Sequence, residues 1–115
     1  MPSFAPLYQH HRGQVAGGRR FDFFAVITPH MQKKTHERAQ MTVDRLLAHY
    51  GIRLSQLWFL LEEGTCHYVN VGSRFLLYCK RKYNARRSRW ELELITLTPP
   101  NHAHTHKLRF AKPVY

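Results

Sequence analysis

Acidic residues are scarce in this chain of 115 residues: seven Asp and Glu stand against 18 Lys and Arg, which leaves a formal net charge of +11. Cysteine is scarcer still, because the chain has only Cys66 and Cys79. Two cysteines are too few for a disulfide framework or a zinc knuckle, so we expect both to be thiols. Apolar runs are short, and none approaches the ~20 residues that cross a bilayer. We therefore expect an intracellular protein with no membrane partner.

The apolar content is nevertheless sufficient for a folded core. Hydrophobic residues make up 43% of the chain and aromatic residues 13%. This argues against a disordered basic tail, since such tails lack the apolar groups that offset chain entropy. A chain of this length is expected to form one domain. The composition therefore predicts a single folded domain whose excess positive charge attracts a polyanion.

The positive charge is unevenly distributed. Residues 64–89 contain seven Lys and Arg and no acid, and residues 1–20 contain three Arg and no acid. Residues 21–63 balance five basic against five acidic residues. Basic residues that serve only solubility are expected to be spread evenly over a surface, whereas a phosphate-binding edge concentrates them.

The first half of the chain predicts an arm, a strand and a helix. Residues 1–20 show no hydrophobic period, which indicates a flexible basic arm. Residues 21–27 are rich in β-branched and aromatic side chains and predict a buried strand. Thr28 is typical of a helix N-cap, and the apolar residues after it recur with a 3.6-residue period as far as Tyr50. Gly51 is a suitable left-handed stop for this one helix.

The second half predicts mainly strands. The apolar run at residues 57–61 fits a strand or a short helix capped by Ser55, and its length and aromatic content favour a strand. Residues 65–71 and 74–83 are predicted strands, joined at Gly72 by a two-residue type II′ turn.

That turn implies a register between the two strands. With Val71 opposite Arg74, Cys66 lies directly opposite Cys79, where a disulfide is geometrically accessible but thiols are favoured in a reducing compartment.

The alternation at residues 90–94 predicts a further strand. It directs Trp90, Leu92 and Leu94 inward, while Glu91 and Glu93 face solvent.

These elements define an α+β fold. The predicted order is β-α-β-β-β-β, an antiparallel or mixed sheet with one helix on one face. Residues 1–20 form the basic arm, residues 21–98 the domain, and residues 99–115 a His-rich tail that adds at most a short edge strand near residues 107–110.

The strongest functional signal is the predicted hairpin around residues 80–90. Six of the ten residues from 80 to 89 are cations, and arginine matches phosphate or guanine edges with a planar fork. Aromatic residues at both flanks are suited to stacking on bases. The predicted nucleic-acid-binding residues here are Lys80, Arg81, Lys82, Tyr83, Arg86, Arg87, Arg89 and Trp90.

Further cations lie outside this hairpin. Arg19 and Arg20 belong to the predicted arm, and disordered basic arms order along phosphates on binding. Three cations occupy the first turns of the predicted helix, where they oppose the helix dipole, which slightly favours a functional role. The additional predicted contacts are Lys33, Lys34, Arg38 and Arg74, together with Arg19 and Arg20.

Histidine offers two weaker hypotheses. His102, His104 and His106 project to one side of an extended chain, as metal ligands do, but such spacing arises easily by chance and we predict no metal or other cofactor. A metal-independent nuclease needs a general acid and base near cations. The candidate groups are His36, His67, Glu62 and Glu63.

The sequence therefore favours a small DNA- or RNA-binding protein, and a binding role over an enzymatic one. A nuclease acting on the same substrate is the first alternative, and an interaction module for an acidic protein is the second. A homodimer is left open, since two-fold dimers are common among small binding proteins.

Overall fold

The computed structural model describes residues 4–14, 18, 20–100 and 110–114. In chain order, the elements are β1 (Leu7–Gln14), β2 (Arg20–Ile27), α1 (Pro29–Ala39), α2 (Val43–His49), α3 (Leu54–Leu60), β3 (Cys66–Val71), β4 (Phe75–Asn84), β5 (Arg89–Thr98) and β6 (Lys112–Pro113). These residues form one α+β domain, which confirms the predicted fold class at that level.

The strands form one mixed sheet in the order β1-β2-β5-β4-β3-β6. Neighbouring strands pair antiparallel except for β2 with β5 and β3 with β6, which are parallel. Because β2 and β5 are parallel and adjacent, both strands begin at the same end of the sheet. The β1–β2 and β4–β5 connections therefore lie side by side at that end.

The three helices cover one face of the sheet. Alternate residues of each central strand, such as Phe23, Leu77 and Leu94, pack there with Met31 of α1 and Leu46 of α2, and all five are at most 1% exposed. The other face carries the remaining residues of each strand, and no helix of the described residues packs on it. We call it the helix-free face.

The expected flexible arm is wrong for residues 7–14, which form β1 and pair with β2 along their whole length. The segment lacks hydrophobic alternation because an edge strand is held largely by its backbone hydrogen bonds. Polar and aromatic contacts add to them: the Gln9 amide donates to Asp44 at 2.7 Å, and the His11 ring stacks on Phe23 at 5.2 Å.

The single predicted helix is instead two helices. Thr28 caps α1 as predicted, accepting a hydrogen bond from the Met31 N–H at 3.0 Å. The helix ends at Gln40, whose φ of 52° is left-handed. Thr42 then caps α2 by accepting a hydrogen bond from the Arg45 N–H at 3.2 Å. A second N-cap residue inside the apolar period therefore begins a separate helix.

The preferred strand at residues 57–61 is also wrong, because the segment belongs to α3. Its buried residues Leu54, Leu57, Trp58 and Leu61 fall at helical offsets, so the alternative that the sequence left open is the observed one. The expected cap at Ser55 is absent, since α3 begins after Arg53 without a side-chain cap.

The β3–β4 turn is one residue longer than predicted. Val71 pairs with Phe75, so Cys66 faces Lys80 and Cys79 faces His67. A slip of one residue moves a side chain to the opposite face of a sheet. The cysteines therefore occupy opposite faces, and both are thiols as expected.

β5 spans ten residues and has a register shift opposite Tyr78 and Cys79. Trp90, Leu92 and Leu94 point toward the helices as predicted, but Glu91 is only 4% exposed, so its expected solvent exposure is wrong. The short β6 extends the β3 edge. The His102, His104 and His106 cluster and the tail strand expected near residues 107–110 lie almost wholly outside the described residues.

Candidate nucleic-acid interface

The parallel pairing of β2 with β5 unites two basic segments of the sequence. Arg20 begins β2 and Arg89 begins β5, and the register of Phe24 with Glu91 sets these strand starts side by side. The first segment also contributes Arg12 of β1, whereas Arg19 lies outside the described residues. The predicted hairpin and the described basic residues of the predicted arm thus occupy one end of the sheet.

The β4–β5 turn has a defined conformation. The Asn84 side-chain oxygen accepts a hydrogen bond from the Arg87 N–H at 3.1 Å, and the Ser88 N–H donates to the Ala85 carbonyl at 3.3 Å. Ser88 has a left-handed φ of 51°. Arg86 and Arg87 are therefore presented to solvent from an ordered turn.

Two cations of the predicted site are paired with acids of β5. The Lys82 ammonium lies 2.8 Å from a Glu93 carboxylate oxygen, and the Arg89 Nε lies 3.0 Å from one of Glu91. The Asn84 side chain also donates a hydrogen bond to Glu91 at 3.2 Å. The buried Glu91 carboxylate therefore has partners that offset its loss of hydration. Lys82 and Arg89 carry much less unbalanced charge than the sequence indicated.

Arg81 points to the helix side of the sheet, away from Lys80 and Lys82. Its guanidinium carbon lies 4.3 Å from the Trp58 ring centre and 5.4 Å from that of Trp90, and it donates to the Trp58 carbonyl at 3.3 Å. These contacts desolvate the cation and favour a packing role.

The two predicted stacking residues lie on the same side as Arg81. The Trp90 ring meets Trp58 edge-on at 5.9 Å and is half-buried. Tyr83 is 48% exposed and its ring contacts Trp90 at 5.2 Å. Trp90 is thus part of the packing between α3 and the sheet, with Arg81 over its ring.

The helix-free face carries an aromatic cluster that the sequence alone did not reveal. His10 stacks on Phe24 with ring centres 4.5 Å apart and nearly parallel planes, and its Nε2 lies 2.5 Å from an Asp22 carboxylate oxygen. Tyr8 projects from the same face of β1 and is 45% exposed. The two-residue spacing of residues 8, 10 and 12 predicts that they share one face, but only if the segment is recognised as a strand.

Arginines from the other hairpin cover these rings. The Arg89 guanidinium carbon lies 4.0 Å from the Phe24 ring centre and 5.1 Å from that of Tyr8. Arg87 approaches Tyr8 at 5.0 Å. The contacts join the tip of the β4–β5 hairpin to β1, across β2.

An open groove of about 670 Å³ lies at the same end of the sheet. Its lining combines cations with ring edges and one acid: Arg12, Gly13, Arg20, Phe21, Asp22 and Trp90. The groove continues the basic surface around the end of the sheet toward the helix side.

The remaining predicted cations lie elsewhere. α1 begins where β2 ends, and the eight residues of β2 span roughly 25 Å. Lys33 and Lys34 are near Glu37, and Arg38 donates to the Leu97 carbonyl. Arg74 precedes β4, which starts at the end opposite the tip, and its guanidinium lies 5.7 Å from the Phe75 ring. The structure does not bring these cations to the hairpin tip.

The candidate nuclease groups are divided: Glu62 and His67 line one groove with Lys112, and His36 lines another. His67 is buried, and its Nε2 accepts the Glu62 backbone N–H at 3.1 Å. His36 lies on α1 and lines a different groove from the one beside His67 and Glu62. In the part of the chain that the structure describes, no group of three or more His, Cys, Asp or Glu has metal-site geometry.

Comparison with protein-family models, curated proteins and solved structures finds no match for this chain. Within the described residues, none of the helices has the length and apolar character needed to cross a membrane. Because no relative suggests a function, we infer one from the surface at the end of the sheet.

Proposed function

We propose that this chain binds nucleic acid through four exposed arginines at the end of the sheet. Arg12 and Arg20 come from β1 and β2, and Arg86 and Arg87 from the β4–β5 turn. We call these four residues the tip surface. The observation that carries the proposal is their approach from two distant parts of the sequence, without an ion pair to any carboxylate of the described residues.

Exposed arginines at one end of the sheet that form no ion pair repel one another, so a polyanion that bridges them is favoured electrostatically. Phosphates accept two hydrogen bonds from one guanidinium, which arginine supplies in a fixed geometry. Each such interaction also releases condensed counterions from the nucleic acid, and affinity then falls steeply with salt. The contribution of Lys82 and Arg89 is smaller, because their charges are offset by Glu93 and Glu91.

The turn geometry supports the same proposal. Asn84 fixes the backbone of Arg87 through its side chain, so the loop loses little conformational entropy when the arginines meet a ligand. Lys80, on the helix-free face between Cys66 and Glu93, extends the basic surface away from the tip.

The test is fluorescence anisotropy with labelled DNA and RNA oligonucleotides over a range of salt concentrations. Arg86→Ala/Arg87→Ala is expected to weaken binding and to reduce the slope of log affinity against log salt by about 1 for each phosphate that is no longer neutralised. The matched control is Lys33→Ala/Lys34→Ala, which removes the same charge from α1.

The control variant is expected to bind within about two-fold of the unaltered protein. Circular dichroism and thermal unfolding check that both variants fold. Absence of binding at low salt, or an equal decrease in affinity in the two variants, contradicts the proposal.

A further inference from the structure

The aromatic cluster of Tyr8, His10 and Phe24 adjoins the tip surface on the helix-free face. Tyr8 and Phe24 come from adjacent strands and are diagonal neighbours, because Tyr8 pairs with Val26 and His10 with Phe24. Tyr8 is 45% exposed. A large aromatic side chain left this exposed beside arginines is suited to a ligand with flat, electron-rich rings and negative charge.

The two arginines over these rings are held differently. Arg89 is anchored by the buried carboxylate of Glu91, and its side chain is 19% exposed, so it stays in contact with Phe24. Arg87 is exposed and forms no ion pair with a carboxylate of the described residues. Only a solvent-exposed cation–π contact holds it over Tyr8, and such contacts are weak.

Arg87 is therefore free to exchange its partner. When its guanidinium turns to a phosphate, the part of the Tyr8 ring that Arg87 covers becomes available for a base. The exchange replaces a cation–π contact with base stacking and adds a charge-assisted hydrogen bond. One ligand satisfies both changes only if its bases are accessible next to its phosphates.

Paired nucleic acid does not meet this condition. In a duplex the faces of the bases are covered by their neighbours, and only base edges and phosphates are available. The helix-free face presents the exposed Tyr8 ring next to cations. Unpaired strands expose base faces, and they are bound by aromatic rings within a basic surface.

We infer that the ligand is an unpaired strand of DNA or RNA, with a base stacked on Tyr8 and adjacent phosphates held by Arg87 and the rest of the tip surface. This inference rests on the proposed nucleic-acid binding and names its substrate class. The strand runs from the tip surface across the helix-free face of β5 and β2 to Tyr8 on β1. Tyr83 is not part of this path, because it contacts Trp90 on the helix side.

The experiment measures the affinity of the full chain for four labelled probes of one sequence, each about 16 nucleotides long. The probes are single-stranded DNA, single-stranded RNA and the two corresponding duplexes. One or both single strands are expected to bind at least about ten-fold more tightly than the duplexes. The stronger single strand identifies DNA or RNA as the ligand.

Substitutions separate stacking from charge. Tyr8→Leu is expected to weaken single-strand binding roughly ten-fold with an unchanged salt slope, because every cation that faces a phosphate is retained. Tyr8→Phe keeps the ring and restores binding. The matched control Tyr83→Leu removes a tyrosine of similar exposure, 48%, from the other side of the sheet and is expected to bind within about two-fold.

The outcomes distinguish this inference from the proposed function. If duplexes bind as well as single strands and Tyr8→Leu binds normally, while Arg86→Ala/Arg87→Ala binds weakly, the stacking inference is overturned and the proposed function stands. If no probe binds at low salt, both fall. Weakened binding in Tyr8→Phe as well as Tyr8→Leu, with the fold intact by circular dichroism, also overturns stacking.

Discussion

The guanidinium carbon of Arg87 lies 5.0 Å from the centre of the Tyr8 ring, and this contact links the β4–β5 turn to the edge strand β1. The two residues are separated by most of the chain. Tyr8 pairs with Val26, near the end of β2 that leads to α1, so the contact places the turn residue Arg87 over the helix-free face. The contact gives the tip surface a measurable connection to the aromatic cluster.

The first prediction concerns this connection in the unliganded protein. Arg87→Ala and Tyr8→Leu are expected to be non-additive in the free energy of unfolding, with a coupling of about 0.5 kcal/mol, typical of an exposed cation–π pair. Urea unfolding of both single variants and the double variant measures it. Strict additivity would show that the contact does not contribute to stability.

Arg81 is expected to matter for stability more than for ligand binding. Arg81→Ala removes a cation enclosed by Trp58 and Trp90 and is expected to lower the free energy of unfolding by about 2 kcal/mol. Arg81→Met keeps the apolar stem and recovers part of this stability. Urea unfolding measures both variants.

The binding assay provides the second half of this test. The guanidinium of Arg81 is desolvated against the helices. Arg81→Met is therefore expected to reduce nucleic-acid affinity less than Arg87→Ala does. A larger loss of affinity in Arg81→Met than in Arg87→Ala would show that Arg81 belongs to the binding surface, as its sequence position suggests.

Gly72 is expected to tolerate no side chain. Its φ is +58°, and a Cβ there would lie 2.7 Å from a ring carbon of Tyr50. Gly72→Ala is expected to lower the free energy of unfolding by about 2 kcal/mol or more, from left-handed strain and the clash with the ring.

Gly64 supplies the matched control, because it also has a positive φ, +77°, but no atom within 4 Å of the added Cβ. Gly64→Ala is expected to show the backbone strain alone, about 1 kcal/mol. Equal destabilisation of the two variants in urea unfolding would contradict the predicted clash with Tyr50.

His11 is expected to make stability depend on pH. Burial against Phe23 and the nearby His10 lower the pKa of His11 below its usual 6.5. The unfolded chain then binds this proton more readily, so its contribution to stability is complete above pH 6.5 and declines as the pH falls below it.

His11→Phe preserves an aromatic ring over Phe23 and removes the titration. Its free energy of unfolding is expected to decline less between about pH 7 and about pH 5 than that of the unaltered protein, as judged by urea unfolding. The same substitution at the exposed His49 is the control. An unchanged pH dependence in His11→Phe contradicts the prediction.

The two cysteines are expected to react at very different rates. Burial raises the pKa of Cys79 to about 12 and raises that of Cys66 as well, so neither thiol is appreciably ionised at neutral pH. Cys79 is 0% exposed, whereas Cys66 is partly accessible on the helix-free face.

Alkylation of the native protein at about pH 8 is expected to modify Cys66 first, and peptide mass spectrometry identifies the modified cysteine. Cys79 reacts only as the protein unfolds, so mild denaturant accelerates its modification more than that of Cys66. Mild oxidation is expected to form no Cys66–Cys79 disulfide within one native chain, because the two side chains lie on opposite faces. Simultaneous modification of both thiols contradicts the assigned register.

Features set by nearby residues followed from the sequence alone. Thr28 caps α1, Gly51 adopts its left-handed conformation, and Trp90, Leu92 and Leu94 alternate toward the core. Each depends on hydrogen bonding or periodicity within a few residues. The concentration of basic residues in the β4–β5 hairpin was also visible, because composition is a property of the sequence.

Tertiary structure decided how these parts combine. The pairing of β1 with β2 and of β2 with β5 depends on contacts between distant residues, and it brings Tyr8 and Arg20 next to Arg87 and Arg89. A one-residue difference in the β3–β4 turn placed the cysteines on opposite faces.

Tertiary contacts also distinguished cations of similar sequence context. Arg81 is enclosed by tryptophans, Arg89 is neutralised by Glu91, and Arg86 remains exposed, although all three lie within nine residues. The sequence by itself determined how much positive charge the protein carries. Only the fold decided which of that charge is free to bind a ligand, because pairing and desolvation depend on neighbours that are remote in sequence.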